Sequence, residues 1–308
     1  MIKYIVLFLA IIFSFAFFIK GCDSPSYTDV PESICDTLKN IDNQHSQPLY
    51  NNLKATNNID SILNIAYSDT NRLETSNDIE IPRLIDTRAE QILIREGYTC
   101  SYNQNTRNAN WVAWLLTKEH SNGPWTSNSI PYKEDNDVIG SRQENSDWES
   151  IDLSDAGIDH GHICPAADNK WSKNAMVQSY LLTNMCPQNA NLNRGIWEKL
   201  ESRCRGWARH YGEVYITAGP IFYSKDYKTI GANKVGVPDA FYKVVLCLNK
   251  RPKALGFIFP NTEPEFDNIE NYMVSVDEVE TKTKIDFFHN LVDSVEDKVE
   301  AKSDLNIW

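Results

Sequence analysis

The chain has 308 residues, 42% hydrophobic and 23% charged, with a formal net charge of −12. That suits one globular domain of about 200–250 residues with extensions, and excludes a wholly disordered chain. The one long apolar run lies at the N-terminus, which excludes a multi-span membrane protein, and the acidic balance excludes a protein that coats nucleic acid by bulk charge.

The first element is an export signal, expected over residues 1–21. Lys3 precedes sixteen uncharged residues, Tyr4–Ile19. A spanning helix needs about 20, so this basic start and short apolar stretch read as secretory. Gly21-Cys22 resembles the end of a bacterial lipoprotein signal, in which the Cys carries the lipid; Lys20 is unusual there. A plain signal peptide and a retained anchor are the other readings. All three put the mature chain outside the cytoplasm, as a cell-envelope lipoprotein or a secreted or periplasmic protein. If Cys22 is consumed, Cys35, Cys100, Cys164, Cys186, Cys204 and Cys247 remain, an even count compatible with disulfides.

Residues 22–80 are rich in Asn, Ser, Asp and Thr, and read as a polar tether with one helical turn at Ile62–Tyr67. A decoration packed on the domain is the alternative. The folded domain is expected over 81–308. Gln91–Tyr98 and Asn110–Leu116 have strand composition, and Ser121–Ser150 is loop-like. Asn174–Leu182 and Arg194–Tyr211 read as helices. Strands are expected at Val214–Thr217, Ala240–Leu248, Ala254–Phe259 and Tyr272–Val276. A last helix, Asp277–Phe287, is entered by Asp277 as cap with Glu280 three residues on. No repeat and no regular βαβ alternation is visible. The expected fold class is therefore α+β, a mixed, mainly antiparallel sheet layered with helices.

Charge is unevenly spread. From His160 to His210 seven Lys/Arg face three acids, whereas from Asn261 to Trp308 thirteen acids face four Lys. The basic window holds the informative residues. Asn193, Trp197, Glu201 and Arg205 are spaced by four, so on a regular helix they share one broad face. An amide, an indole, an acid and a cation are not a core stripe. Singly, Asn193 could be a helix cap, and Glu201 with Arg205 an ordinary exposed ion pair. Upstream, His160-Gly161-His162 puts two imidazoles on one side of an extended chain, with Gly161 allowing close backbone approach. An imidazole titrates near neutrality and can act as general base. Cys164, Cys186 and Cys204 flank these pieces and read as buried or bridged, not nucleophilic.

Asp159-His160-Gly161-His162, followed by Pro165-Ala166, resembles the D-R-G-H signature of the DNA/RNA non-specific endonuclease family. The resemblance continues in order and spacing through Thr183-Asn184, Pro187-Gln188, Leu192-Asn193, Trp197, Leu200-Glu201 and Arg205, and more loosely from Asn110 to Phe259. It implies a ββα-metal site, in which a hairpin carries the base and the following helix carries the metal ligand. By this resemblance His162 is the general base and Asn193 the direct ligand of Mg²⁺, with Mn²⁺ an alternative. Glu201 would hold a water on the metal, Arg205 would contact the scissile phosphate, and Asp159 and Asn184 would support the site. The implied partner is DNA, RNA or both, cut with little sequence specificity because phosphate contacts carry little sequence information.

One position departs from the signature: His160 stands where the family has Arg. A histidine supplies neither a permanent charge nor a bidentate fork. The expectation is that His160 partly replaces that Arg, leaving activity weaker or more acid-dependent. Two other functions compete. His160, His162 and His210 could be ligands of a zinc hydrolase, or the chain could be a catalytically weak nucleic-acid-binding surface lipoprotein.

Overall fold

The central strands show almost no polar alternation because helices cover the sheet on both faces. This computed structural model describes residues 78–249 and 251–308. The readings on the export signal, Cys22, Cys35, the Ile62–Tyr67 turn and nearly all of the tether lie outside the described residues. At the tether's expected end, Ile79 is buried and the Glu80 carbonyl accepts from the Thr217 hydroxyl at 2.7 Å, so these residues already pack on the domain.

The strands are β1 (Arg83–Leu84), β2 (Gln91–Ile94), β3 (Thr99–Asn103), β4 (Asn108–Thr117), β5 (Ile158–His162), β6 (Met185–Asn189), β7 (Glu213–Ile221), β8 (Thr229–Ile230), β9 (Val235–Gly236), β10 (Ala240–Cys247), β11 (Lys253–Pro260), β12 (Met273–Val274) and β13 (Ile285–Asp286). The helices are α1 (Asn145–Glu149), α2 (Leu153–Ala156), α3 (Lys173–Gln178), α4 (Ala190–Leu192), α5 (Glu198–Tyr211), α6 (Val276–Thr283) and α7 (Asp293–Glu300), with a π-helical segment, Asn193–Trp197, joining α4 to α5. Seven strands pair in the order β12-β11-β10-β7-β4-β3-β2, every pair antiparallel. The fold is thus α+β with an antiparallel sheet.

Successive residues of a strand point to opposite faces. In β10, Phe241, Val245 and Cys247 join the core beneath α5, together with Leu255, Phe257 and Phe259 of β11 and Val112, Trp114 and Leu116 of β4. From α5 and the π segment that core receives Ile196, Trp197, Leu200, Cys204, Trp207 and Ala208. Tyr242 points the other way and meets Phe287, on the side of α6 and α7.

The structure redraws several expected boundaries. Gln91–Tyr98 is not one strand: β2 stops at Ile94, and a tight turn with Arg95 N–H donating to the Tyr98 carbonyl at 2.8 Å leads into β3. The helix expected at Asp277–Phe287 starts at Val276 and ends at Thr283. Its cap is Ser275, whose hydroxyl accepts from Glu278 N–H at 3.1 Å, and Lys284 leaves it in the left-handed region. Only Met273–Val274 of the expected last strand pairs. Of the two readings, buried or bridged, Cys164, Cys186 and Cys204 take the first: like Cys100 they are buried thiols without a bridge among the described residues, and Cys164 Sγ accepts from Asn169 Nδ2 at 3.4 Å.

Candidate active site

The site is built on a small hairpin outside the large sheet. β5 and β6 pair antiparallel, Asp159 opposite Gln188, His160 opposite Pro187, Gly161 opposite Cys186 and His162 opposite Met185. The chain then turns directly into the helix through Asn189, whose side chain accepts from the N–H groups of Asn191 and Leu192, both at 3.0 Å. The cap is therefore Asn189, and Asn193 is free of that duty. Gly161 is required by close approach: a Cβ there would lie 2.3 Å from Gln188 Oε1 and 2.6 Å from Gln188 Cβ.

The four-residue spacing from Asn193 to Arg205 does not translate into one helical face. Asn193 opens the π segment, within which Gly195 departs from helical geometry (φ −108°, ψ −109°). A π turn shifts the helical phase between the residues on its two sides. Asn193 is thereby aimed at the hairpin, while Trp197 and Glu201 both meet Lys243 of β10.

Asn193 Nδ2 donates to Asp159 Oδ2 at 2.9 Å. Arg194 grips the same carboxylate with two nitrogens, Nε at 2.8 Å and Nη2 at 2.5 Å. Asp159 thus accepts three hydrogen bonds, of about four a carboxylate can take, and acts as a holder. Because the Asn193 amide nitrogen is committed, its Oδ1 is the end left to face a ligand. An uncommitted neutral oxygen on a rigid turn is a donor that a hard divalent cation accepts, the remaining positions being filled by water. The residues present fit such an ion.

A second group lies along α5. Lys243 is 1% exposed, 4.0 Å from Glu201 Oε1, with its Nζ 4.2 Å from the Trp197 ring centroid and 5.5 Å from that of Trp114. Arg205 donates to buried Asp168 Oδ1 at 3.1 Å, and Trp114 Nε1–H donates to the other oxygen at 3.1 Å. Burial pushes the Glu201 carboxyl up to about 7, with Lys243 opposing, and raises that of Asp168 despite Arg205. Glu201 and Arg205 are therefore not an isolated surface pair: each has a buried counter-ion of its own. Sequence reasoning misses Lys243, Asp168 and Trp114. For Lys243 the one signal is a lone cation inside the apolar run of β10.

The third group surrounds the two imidazoles. His160 is sandwiched, its ring 4.1 Å from Tyr132 and 3.9 Å from Trp148, nearly parallel to both. Desolvation holds its pKa down at about 4. At neutral pH it carries no charge, so it does not substitute electrostatically for an Arg; its role is to pack the hairpin against the loop that carries Tyr132 and α1. His162 meets Tyr180 edge-on at 4.9 Å, and its enclosed Nε2 has no hydrogen-bond partner among the described residues. Burial, then neighbouring His160, bring its pKa to about 4.

Asn184 is a clamp. Its Oδ1 accepts from Cys164 N–H at 2.9 Å, and its Nδ2 donates to the carbonyls of Cys164 (2.9 Å) and Ser179 (2.8 Å). It thereby fixes the chain two residues beyond His162. Among the described residues no hydrogen bond or ring contact joins His162 to Asn193; they are tied through β5, since Asp159, the holder of Asn193, precedes His162 by three residues. His210 lies on the last turn of α5, exposed and edge-on to Tyr211. Neither it nor the stacked His160 belongs to any metal-sized cluster among the described residues.

A family model described as DNA/RNA non-specific endonuclease matches residues 75–294. A nuclease of Nostoc sp. is 33% identical over 227 residues, 69% of this chain and 78% of that protein. Mitochondrial endonuclease G of Homo sapiens is 30% identical over 215 residues, 66% of this chain and 71% of that protein. A crystal structure of the EndoG/EndoGI complex matches with a TM-score of 0.61 at 25% identity, covering 68% of this chain and 89% of that one.

Proposed function

The chain belongs to the DNA/RNA non-specific endonuclease family, and from that membership we propose that it is an exported, divalent-metal-dependent endonuclease that hydrolyses DNA, RNA or both with little sequence specificity. The observation that carries the reading is the pairing of an orphaned base with a held amide: among the described residues His162 Nε2 has no partner, and three residues earlier on the same strand Asp159 fixes Asn193.

A phosphodiester is anionic and repels hydroxide, so its hydrolysis needs an activated water and a surplus of positive charge around the phosphorus. His162 supplies the first requirement. It is neutral above pH 4, so its base form is always populated, and its Nε2 takes the proton of the attacking water. The incoming phosphate carries negative charge, which raises the basicity of a desolvated imidazole as substrate binds. Asn184 and the Tyr180 edge hold the ring while this happens.

The second requirement falls to Arg205 and Lys243. Asp168 and the two indoles fix these cations before substrate arrives, so little reorganisation is needed. Asn193 would hold the metal through Oδ1, with Glu201 as the acid that complements it. When bound, Mg²⁺ or Mn²⁺ supplies Lewis-acid neutralisation of the phosphate and of the departing oxygen. The basic start, the apolar run and Cys22 support export, with attachment to the membrane through a lipid on Cys22.

Incubating the purified protein with supercoiled plasmid and with RNA, in Mg²⁺, Zn²⁺ or EDTA, tests the proposal. Nicking in Mg²⁺ that stops in EDTA is expected. Undiminished cleavage in EDTA, or binding without cleavage in every metal, would contradict it.

A further inference from the structure

The acidic surplus of the C-terminal region is not spread evenly over solvent. Asp277 and Glu280 lie one turn apart on α6, and Glu300 is the last residue of α7. One carboxylate oxygen from each lies within 4.8 Å of the others. Such a group on an open surface would be unremarked, but Glu300 is only 5% exposed and, among the described residues, its Oε1 has no hydrogen-bond partner. Among the described residues, no Lys or Arg forms an ion pair with any of the three. The charges that act on Glu300 are those of Glu280, Glu296, Asp277 and Asp286, all acidic. Of these, Asp286 is itself paired with Arg83.

A buried carboxylate needs a counter-charge or a proton. Burial and its acidic neighbours push the Glu300 carboxyl up to about 9, so without a cation a proton must fill the gap. We propose that Asp277, Glu280 and Glu300 form a calcium-class cation site that clips α7 to α6, separate from the nuclease centre. Two facts select the ion. The donors are all hard oxygens, which suits a cation such as Ca²⁺ and not thiolate- or imidazole-seeking metals. Three carboxylates from two helices, one of them buried, suit the irregular oxygen cage of Ca²⁺ better than the near-ideal octahedron that Mg²⁺ demands. Exposed Asp277 leaves room for the several waters a larger ion keeps. Glu280 is positioned for the task, since its Oε1 accepts from Phe287 N–H at 2.7 Å and that bond orients the carboxylate.

The clip has a route to the rest of the domain. After α7 the chain ends with Trp308 packed on Trp207 and Tyr211 of α5, at ring distances of 4.7 and 6.0 Å, while Lys253 donates to the Ile307 carbonyl at 2.6 Å. Holding α7 therefore steadies the tail that backs the far end of the helix bearing Glu201 and Arg205.

The test is calorimetric titration of the purified full chain with CaCl₂, with thermal unfolding alongside. Calcium at a hundred times Kd should raise Tm by roughly 5 °C. Asp277→Asn, at an exposed position that folds regardless, should weaken calcium binding at least tenfold and remove that rise, and Glu300→Gln should do the same. Asn193→Ala should leave both intact, and neither carboxylate variant should lose plasmid cleavage in Mg²⁺. The proposal is overturned if calcium does not bind, if Asp277→Asn binds it as the parent does, or if the rise in Tm vanishes with Asn193→Ala instead.

Discussion

β10 and β5 hold Lys243 and His162 at the catalytic region in opposite ways. Lys243 sits in the middle of a seven-stranded sheet, walled by Trp197 and Trp114 and countered by Glu201. His162 ends a two-stranded hairpin, and among the described residues its Nε2 has no hydrogen-bond partner. The difference is functional. A charge that only shapes the field is best locked, because a fixed dipole or cation costs no reorganisation during reaction. A group that must exchange a proton needs a lone pair that no protein group has claimed, and among the described residues the enclosed Nε2 of His162 is one.

Breaking the locked side should have the largest effect on stability. Lys243→Met removes the cation and leaves Glu201 in a desolvated site without its counter-charge. A loss of about 3 kcal/mol is expected, measured by denaturant unfolding. The double variant Lys243→Met/Glu201→Gln should recover most of the stability and none of the cleavage. A single variant as stable as the parent would show that Lys243 is not the partner of Glu201.

The holder comes next. Asp159→Asn leaves the hairpin in place but loosens its grip on Asn193 and Arg194, so cleavage should fall by roughly 10–100-fold, with more metal needed for half-maximal rate. A lower rate at unchanged metal requirement would make Asp159 a fold residue only. Arg194→Ala removes a partner whose side chain is 72% exposed, and should leave the denaturation midpoint almost unchanged.

The stacked imidazole gives a pH signature. Both His160 and His162 have pKa values lowered from 6.5 to about 4 in the folded state. Between those values the unfolded chain binds more protons, so stability is full above pH 6.5 and is lost as pH falls toward 4. His160→Phe keeps the ring sandwich and removes one titrating group, so the decline of Tm over that window should become shallower. The same slope in parent and variant would mean that His160 is solvated.

Much of this was legible in sequence because local pattern dictated it. Gly161 announced a close approach, and Gln188 lies across it. The apolar runs of β10 and β11 could be nothing but buried strands. What stayed hidden depends on partners distant in sequence. A spacing of four puts Asn193 on the face of Glu201 only if the helix is regular, and the π segment at Gly195 breaks that premise. His160 could not be known as a stacked, neutral ring until Tyr132 and Trp148 closed on it from a loop and a short helix. Asp168 gained meaning only when folding laid it against Arg205 and Trp114.

The most direct test replaces the unpartnered imidazole. Plasmid nicking by His162→Ala, in saturating Mg²⁺ and with Tm checked, should fall by roughly 10²–10⁴-fold while the protein stays folded. A folded His162→Ala protein that nicks at the parental rate would contradict the assignment of the base, and with it the account of the site.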